Sequence, residues 1–270
     1  MIALQTTPLC CDALLPQTRF GAGGTTAWYQ PGGLPLDVET LIVSDVHLGI
    51  KASRPESLLH TLQSWRFERL ILLGDILHDH NVRRFCEKSW ELLAFIAALS
   101  HDRRKEVIWL YGNHDRHLAP LIAKLTGIQA RESFQWSADN QRFIATHGDR
   151  FDHFLWRNEK FARWVTHFYT SCQNIFSSDG HWPTKLAKLH VGLSGLSDKI
   201  ADGAAEFADR LGADVIVCGH THEPLHRTYP RVTGAEGERL VRYYNTGSWV
   251  QKPASFVSVS GPDVVQHVCP

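Results

Sequence analysis

The sequence predicts an α/β protein: two packed sheets with helices on their outer faces. Three observations predict it. Five short apolar runs each end abruptly in a polar side chain. Strand-like and helical patterns alternate through the first half, which builds a sheet covered by helices. The tail from Glu223 to Val268 reads as mostly extended, punctuated by Tyr229-Pro-Arg and Gly234-Ala-Glu-Gly237. A chain of 270 residues can bury a large core, as one large α/β domain or two smaller ones.

Residues 1–38 read as an N-terminal extension. Gly21-Ala-Gly-Gly24 and Pro31-Gly-Gly33 are turn material around Thr25–Tyr29, which suggests an edge hairpin without chemistry. The main domain is expected over 39–270. Its first strand is the run Leu41–Gly49, aliphatic and β-branched until Asp45-x-His47. Ser53 is a candidate N-cap for a helix with Pro55 and Glu56 in its first turn and Leu58, Leu59, Leu62 and Trp65 on one face. The second strand, 69–74, ends in Gly74-Asp75. An amphipathic helix over about 84–99 leads to the third strand, which ends in Gly112-Asn113-His114-Asp115. Residues 127–146 are strand-like, with a hairpin at 138–141, and end in His147-Gly-Asp149. The fifth strand runs from Asp214 through Cys218 into His220-Thr-His222.

Residues of about 150–212 carry no such strand end and read as a helical cap insertion, broken near Gly180 and Pro183. An aromatic stripe (Phe151, Phe154, Phe161, Trp164, Phe168, Tyr169) runs through it with Arg and Lys interleaved. Two readings stay open: helices that pack these rings together, or a lid that binds an apolar part of a substrate or meets a membrane surface.

Lys plus Arg and Asp plus Glu are 28 each. Zero formal charge argues against a broad electrostatic grip on nucleic acid, so no nucleic-acid partner is expected. Six cysteines form no C-x-x-C pair, which favours free thiols in a reducing cytoplasm. No signal peptide is evident. No stretch approaches the ~20 apolar residues of a spanning helix.

The strand ends offer seven donor side chains: Asp45, His47, Asp75, Asn113, His147, His220 and His222. Ligands gather at the carboxyl ends of strands in open α/β sheets. The set mixes carboxylates with imidazoles and contains no thiolate, which suits Mn, Fe, Co or Zn in hydrolysis and argues against a structural zinc site. Seven donors are too many for one tetrahedral ion. They fit two ions about 3.5–4 Å apart that share one carboxylate and acidify a bridging water. Asp75 is the expected bridge, since a carboxylate has two oxygens to share. His114 is expected to contact a phosphate oxygen or protonate the leaving oxygen, with Asp115 orienting its ring. Asn245, Ser248, Arg116, His117, His78, Asp79 and His153 either line the cleft or are ordinary turn and surface residues. Trp249 reads as packing.

Asp45-x-His47, Gly74-Asp75, Gly112-Asn-His-Asp115, His147 and Gly219-His-Thr-His222, in that order, resemble the calcineurin-like metallophosphoesterase superfamily. The resemblance covers residues 45–222. It implies a four-layer α/β/β/α sandwich and a dinuclear centre, Mn foremost, with Fe, Zn, Co or Ni as alternatives. By the same resemblance one ion takes Asp45, His47, Asp75 and His222, the other takes Asp75, Asn113, His147 and His220, and His114 is the catalytic histidine. Three blocks (His147-Gly-Asp149 with the helical insertion, Cys218–Pro224 and Tyr243–Val250) are similar to UDP-2,3-diacylglucosamine hydrolase and its bacterial relatives. That enzyme usually has Arg where this chain has His114, which favours a sister group of phosphodiesterase or pyrophosphatase type.

The expected function is hydrolysis of a phosphodiester or pyrophosphate bond by a metal-bridging hydroxide. The expected substrate is a small-molecule or lipid-linked phosphate. A lid that meets lipid would add peripheral attachment at the inner membrane. The alternatives are a catalytically silent protein-binding scaffold of the same fold, or a nuclease. The oligomeric state is not readable from the sequence.

Overall fold

The computed structural model describes residues 19–21, 24–28, 36–152, 184–232 and 240–269. Along the chain, β1 (Arg19–Gly21), β2 (Gly24–Trp28) and β3 (Leu36–Val43) lead into α1 (Pro55–Ser64). β4 (Trp65–Leu73), α2 (Glu87–His101), β5 (Glu106–Leu110) and α3 (Ala119–Thr126) follow. Next come β6 (Ser133–Ala138), β7 (Gln141–Thr146), α4 (Thr184–Arg210) and β8 (Val215–Cys218). β9 (Leu225–Pro230), β10 (Leu240–Asn245), β11 (Ala254–Ser260) and β12 (Asp263–Cys269) complete the chain.

The strands form two mixed sheets. One has seven strands in the order β1-β2-β12-β11-β3-β4-β5, the other five in the order β6-β7-β8-β10-β9. β3, β4 and β5 are parallel neighbours, as are β7, β8 and β10. Over their carboxyl-terminal stretches these strands are buried on both faces, which is why most of those stretches read as apolar runs. Alternate side chains sort into layers. Ile42, Ile71, Leu73 and Ile108 of the larger sheet meet Phe143, Ala145, Val215 and Val217 of the smaller between the sheets. Leu41, Val43, Leu70, Leu72 and Trp109 point the other way, onto Leu58 and Leu62 of α1, Leu92 and Ile96 of α2 and Ile122 of α3. Ile144, Ile216, Cys218 and Tyr243 meet Ile200, Ala201, Ala204, Ala205 and Ala208 of α4. The result is the expected helix–sheet–sheet–helix sandwich.

Some local details differ from the sequence reading. Trp65 is the first residue of β4, not a helical one. Arg54, not Ser53, occupies the N-cap of α1. The Ser53 hydroxyl instead donates to the Val46 carbonyl at 2.7 Å and ties the segment before the helix to the exit of β3. Asp139 and Asn140 both have positive φ, 45° and 62°, the pairing that a two-residue hairpin turn requires. α4 forms the outer layer on the smaller sheet and comes from the stretch expected as a cap. Phe151 is buried against it, 5.5 Å from the Phe207 ring. The remaining stripe, Phe154 to Tyr169, lies outside the described residues, as does His153. β1 and β2 pair antiparallel at the edge of the larger sheet, where β2 runs parallel to β12. Among the described residues no helix is long and apolar enough to cross a membrane.

Candidate metal centre

The parallel strands of both sheets end at one rim. There β3 delivers Asp45 and His47, β4 delivers Asp75, β7 delivers His147, and β8 delivers His220 and His222. Oδ1 of Asp45 lies 3.1 Å from Nε2 of His222 and 3.8 Å from Nε2 of His47. The two Nε2 atoms are 3.1 Å apart. Oδ2 of Asp75 lies 3.8 Å from Nε2 of His47 and 3.4 Å from Nε2 of His147. Asp45–His47–His222 and Asp45–Asp75–His147 are thus two overlapping groups whose donor atoms fall within 4.8 Å of one another. A third group of that size is His47–His78–His114.

The backbone is strained at the same rim. Asp45, His47, Asp75, His220 and His222 have φ of 51°, 49°, 53°, 73° and 61°. Left-handed backbone costs an L-residue about 1–2 kcal/mol, and such strain concentrates at functional sites. The glycines beside these residues leave space. A Cβ at Gly112 would fall on Oδ1 of Asp75, and one at Gly74 would fall on the His147 ring.

Residues 39–224 match the calcineurin-like phosphoesterase family. The chain belongs to that family. No curated protein matches the sequence. Among solved structures, vacuolar protein sorting 29 from Cryptosporidium parvum is 15% identical over 85% of this chain and 89% of that one, at a TM-score of 0.42. Vps29 of Entamoeba histolytica complexed with zinc is 14% identical over 83% and 88%, at 0.40. Nuclease MPE of Pseudomonas putida is 18% identical over 90% and 96%, at 0.36.

Calcineurin-like phosphoesterases use divalent metal ions, and the rim of this one suits them. Oδ1 of Asp45 and Nε2 of His147 are buried and make no well-aligned hydrogen bond among the described residues, their near polar neighbours being other donor atoms of the rim, Nε2 of His222 at 3.1 Å and Oδ2 of Asp75 at 3.4 Å. Burying polar atoms unpaired is costly, and a cation would satisfy both. Nδ1 of His147 is 2.9 Å from the Leu73 carbonyl, to which it donates, leaving Nε2 as the donor atom. Burial opposes charge on Asp45, but the imidazoles of His222 and His147 outweigh it and hold the carboxyl well below the usual range. Burial likewise opposes charge on Asp75, and His147 and His114 overcome it. Burial pushes His47 down to about 4, so near neutral pH it is an uncharged imidazole. His147 goes the other way. Against its burial, Asp75 and Asp45 raise it well above the ordinary value. A divalent cation would compete for that place with a proton.

The other expected residues are placed as follows. The His220 amide donates to Oδ2 of Asp45 at 3.0 Å, its ring lies 5.3 Å from that of His147, and its Nε2 is 3.2 Å from Oδ2 of Asp152. Asn113 is exposed at the rim, between Gly112 and His114. The His114 amide donates to Oδ1 of Asp75 at 2.9 Å. Its Nδ1 is 3.0 Å from the His78 carbonyl, and its ring stacks on the His78 ring at 4.7 Å. Asp115 takes a different place from the expected one. Its oxygens accept the amides of Gly112 at 2.7 Å and Ile76 at 3.0 Å, stapling the exits of β4 and β5 together. Burial, with Asp75 beside it, raises Asp115 to about 6. The orienting acceptor for the His114 ring is the His78 carbonyl.

The segment after β10 supports the rim. Nδ2 of Asn245 donates to the Gly219 carbonyl at 2.6 Å, the hydroxyls of Ser44 and Thr246 are 2.5 Å apart, and the Trp249 amide donates to the Asp45 carbonyl at 3.1 Å. Trp249 itself packs in the helix-side core. Arg116 pairs with Asp149 at 2.8 Å and Asp79 with Arg84 at 3.0 Å. His117 is exposed and Ser248 is buried. Asp152 gave no local signal in the sequence. His78, Asn245 and Ser248 showed only as soft candidates.

Proposed function

We propose that this protein is a metal-dependent hydrolase of a phosphodiester or pyrophosphate bond. The observation that carries the reading is Asp75, set between Nε2 of His47 and Nε2 of His147 with its charge preserved despite burial. We assign Asp45, His47, Asp75 and His222 to one divalent cation and Asp75, Asn113, His147 and His220 to a second, with Mn the first choice and Fe, Zn, Co or Ni compatible. Such cations, when bound, supply Lewis-acid charge at phosphorus and activate water. His114 does the remaining work. With Nδ1 donating to the His78 carbonyl, Nε2 is the ring nitrogen left for substrate, and in the doubly protonated ring it can donate to a phosphate oxygen or give its proton to the departing oxygen. Water adds across one P–O bond, and the leaving oxygen departs with a proton.

The motif blocks at 147–149, 218–224 and 243–250 support a substrate like UDP-2,3-diacylglucosamine, a nucleoside diphosphate joined to a lipid. His114, in place of the usual Arg, supports a sister substrate with the same pyrophosphate chemistry. Residues 39–270 then form the catalytic domain, with 1–38 as an extension and about 150–212 as an insertion. The test uses Mn-supplemented protein with bis-p-nitrophenyl phosphate, nucleotide pyrophosphates and UDP-2,3-diacylglucosamine. Folded Asp75→Ala and His147→Ala are expected to lose about 100-fold or more in rate. Variants as fast as the parent overturn the reading.

A further inference from the structure

Asp152 has no part in the assignments above, yet it is 1% exposed and its Oδ2 sits 3.2 Å from Nε2 of His220. A buried carboxylate needs a partner, and this one has taken an imidazole at the rim. The chain puts it there by a short route. After His147, Gly148 turns at a φ of 109°, and residues Asp149–Phe151 make a single 3-10 turn. Phe151 then anchors the segment in the core beneath α4. Asp152 follows directly, so one segment supplies both the His147 imidazole and a carboxylate for the imidazole next to it, ring centroids 5.3 Å apart.

We propose that Asp152 is a positioning residue that fixes the ring of His220 and selects which nitrogen can coordinate a metal. The inference rests on the metal reading given above. A carboxylate oxygen accepts a hydrogen bond, so the proton of a neutral His220 ring sits on Nε2 and the lone pair is left on Nδ1. His147 has the reverse arrangement, with Nδ1 donating to the Leu73 carbonyl and Nε2 facing Oδ2 of Asp75 at 3.4 Å. Two neighbouring imidazoles thus present opposite ring nitrogens to the same ion. The His220 amide, bonded to Oδ2 of Asp45, holds the other end of the residue. Backbone and ring are therefore both fixed before a cation arrives.

The test is metal binding and ring-nitrogen magnetic resonance on the full purified chain, with Mn2+ for titration and Zn2+ as the diamagnetic probe. The parent is expected to bind two ions, with His220 protonated on Nε2 and coordinated through Nδ1. Asp152→Ala should weaken one of the two ions by about 10–100-fold and leave the other unchanged. Asp152→Asn, which keeps an acceptor oxygen without the charge, should fall between parent and Ala variant. Far-UV circular dichroism checks the fold, and the Asn variant decides the matter if the Ala variant does not fold. Parental affinity at both ions in both variants, or coordination of His220 through Nε2, overturns the role of Asp152 while the metal reading stands. A folded parent that binds no divalent ion removes both.

Discussion

His267 is a buried imidazole on β12, stacked on Phe256 at 4.8 Å and hydrogen-bonded to Ser258 at 2.8 Å. Burial pushes it down to about 4, whereas an unfolded histidine titrates near 6.5. Between those values the unfolded chain holds the extra proton. Its contribution to stability is therefore complete above about 6.5 and is lost as pH falls toward 4, by up to about 3 kcal/mol. Urea melts near pH 7 and near pH 4.5 should show a smaller loss in His267→Gln than in the parent; equal losses would refute the linkage. At this scale the rim was legible in part. Asp75 and His147 announce themselves because a glycine and an apolar run lie beside them in sequence, and Asp45 because an apolar run ends in Asp-x-His. Asp152, the His78 carbonyl and Asn245 act on partners 68, 36 and 26 residues away, and no local pattern encodes such pairings. Asp115 shows the converse: adjacency to His114 suggested a contact with its ring, while burial gave its oxygens to backbone amides.

Most of the parallel strands were readable as elements because burial on both faces makes their carboxyl-terminal stretches apolar. α4 was readable as a helix but not as a layer. Its Ala201, Ala204, Ala205 and Ala208 share a face at helical spacing, and only the fold shows that face pressed on Ile144, Ile216 and Tyr243. Small residues there let helix and sheet approach closely. Ala204, fully buried, is the sharpest test: Ala204→Leu should cost about 1–3 kcal/mol through overpacking, read from urea midpoints. An unchanged midpoint would mean that this helix does not pack tightly. Trp65 was misplaced because apolar periodicity continues from α1 straight into β4, with no turn residue between them.

For the whole molecule, the rim draws donors from both sheets: Asp45, His47 and Asp75 from the larger, His147 and His222 from the smaller. A cation held there joins the two halves of the sandwich. Binding to the folded state alone stabilises it by about 2.7 kcal/mol per site at a hundredfold excess over Kd. For a chain of this length that is roughly 5–10 °C in Tm. Chelation should therefore lower the melting temperature by about that amount, and added Mn should restore it; a melt indifferent to both would remove the cation from the structure's energetics.

The positive φ values at the rim act as a spring kept under tension. His222 is the test case, since its φ is 61° and its side chain is 19% exposed. Glycine relaxes such a backbone without penalty. His222→Gly should thus leave the metal-free chain with a higher Tm than His222→Ala, which loses the same imidazole beside the buried Asp45 carboxylate but keeps the strained backbone, and equal Tm values would deny the tension. A screen for heat resistance alone would wear this rim away first, because strain of this kind survives only where something besides folding selects for it.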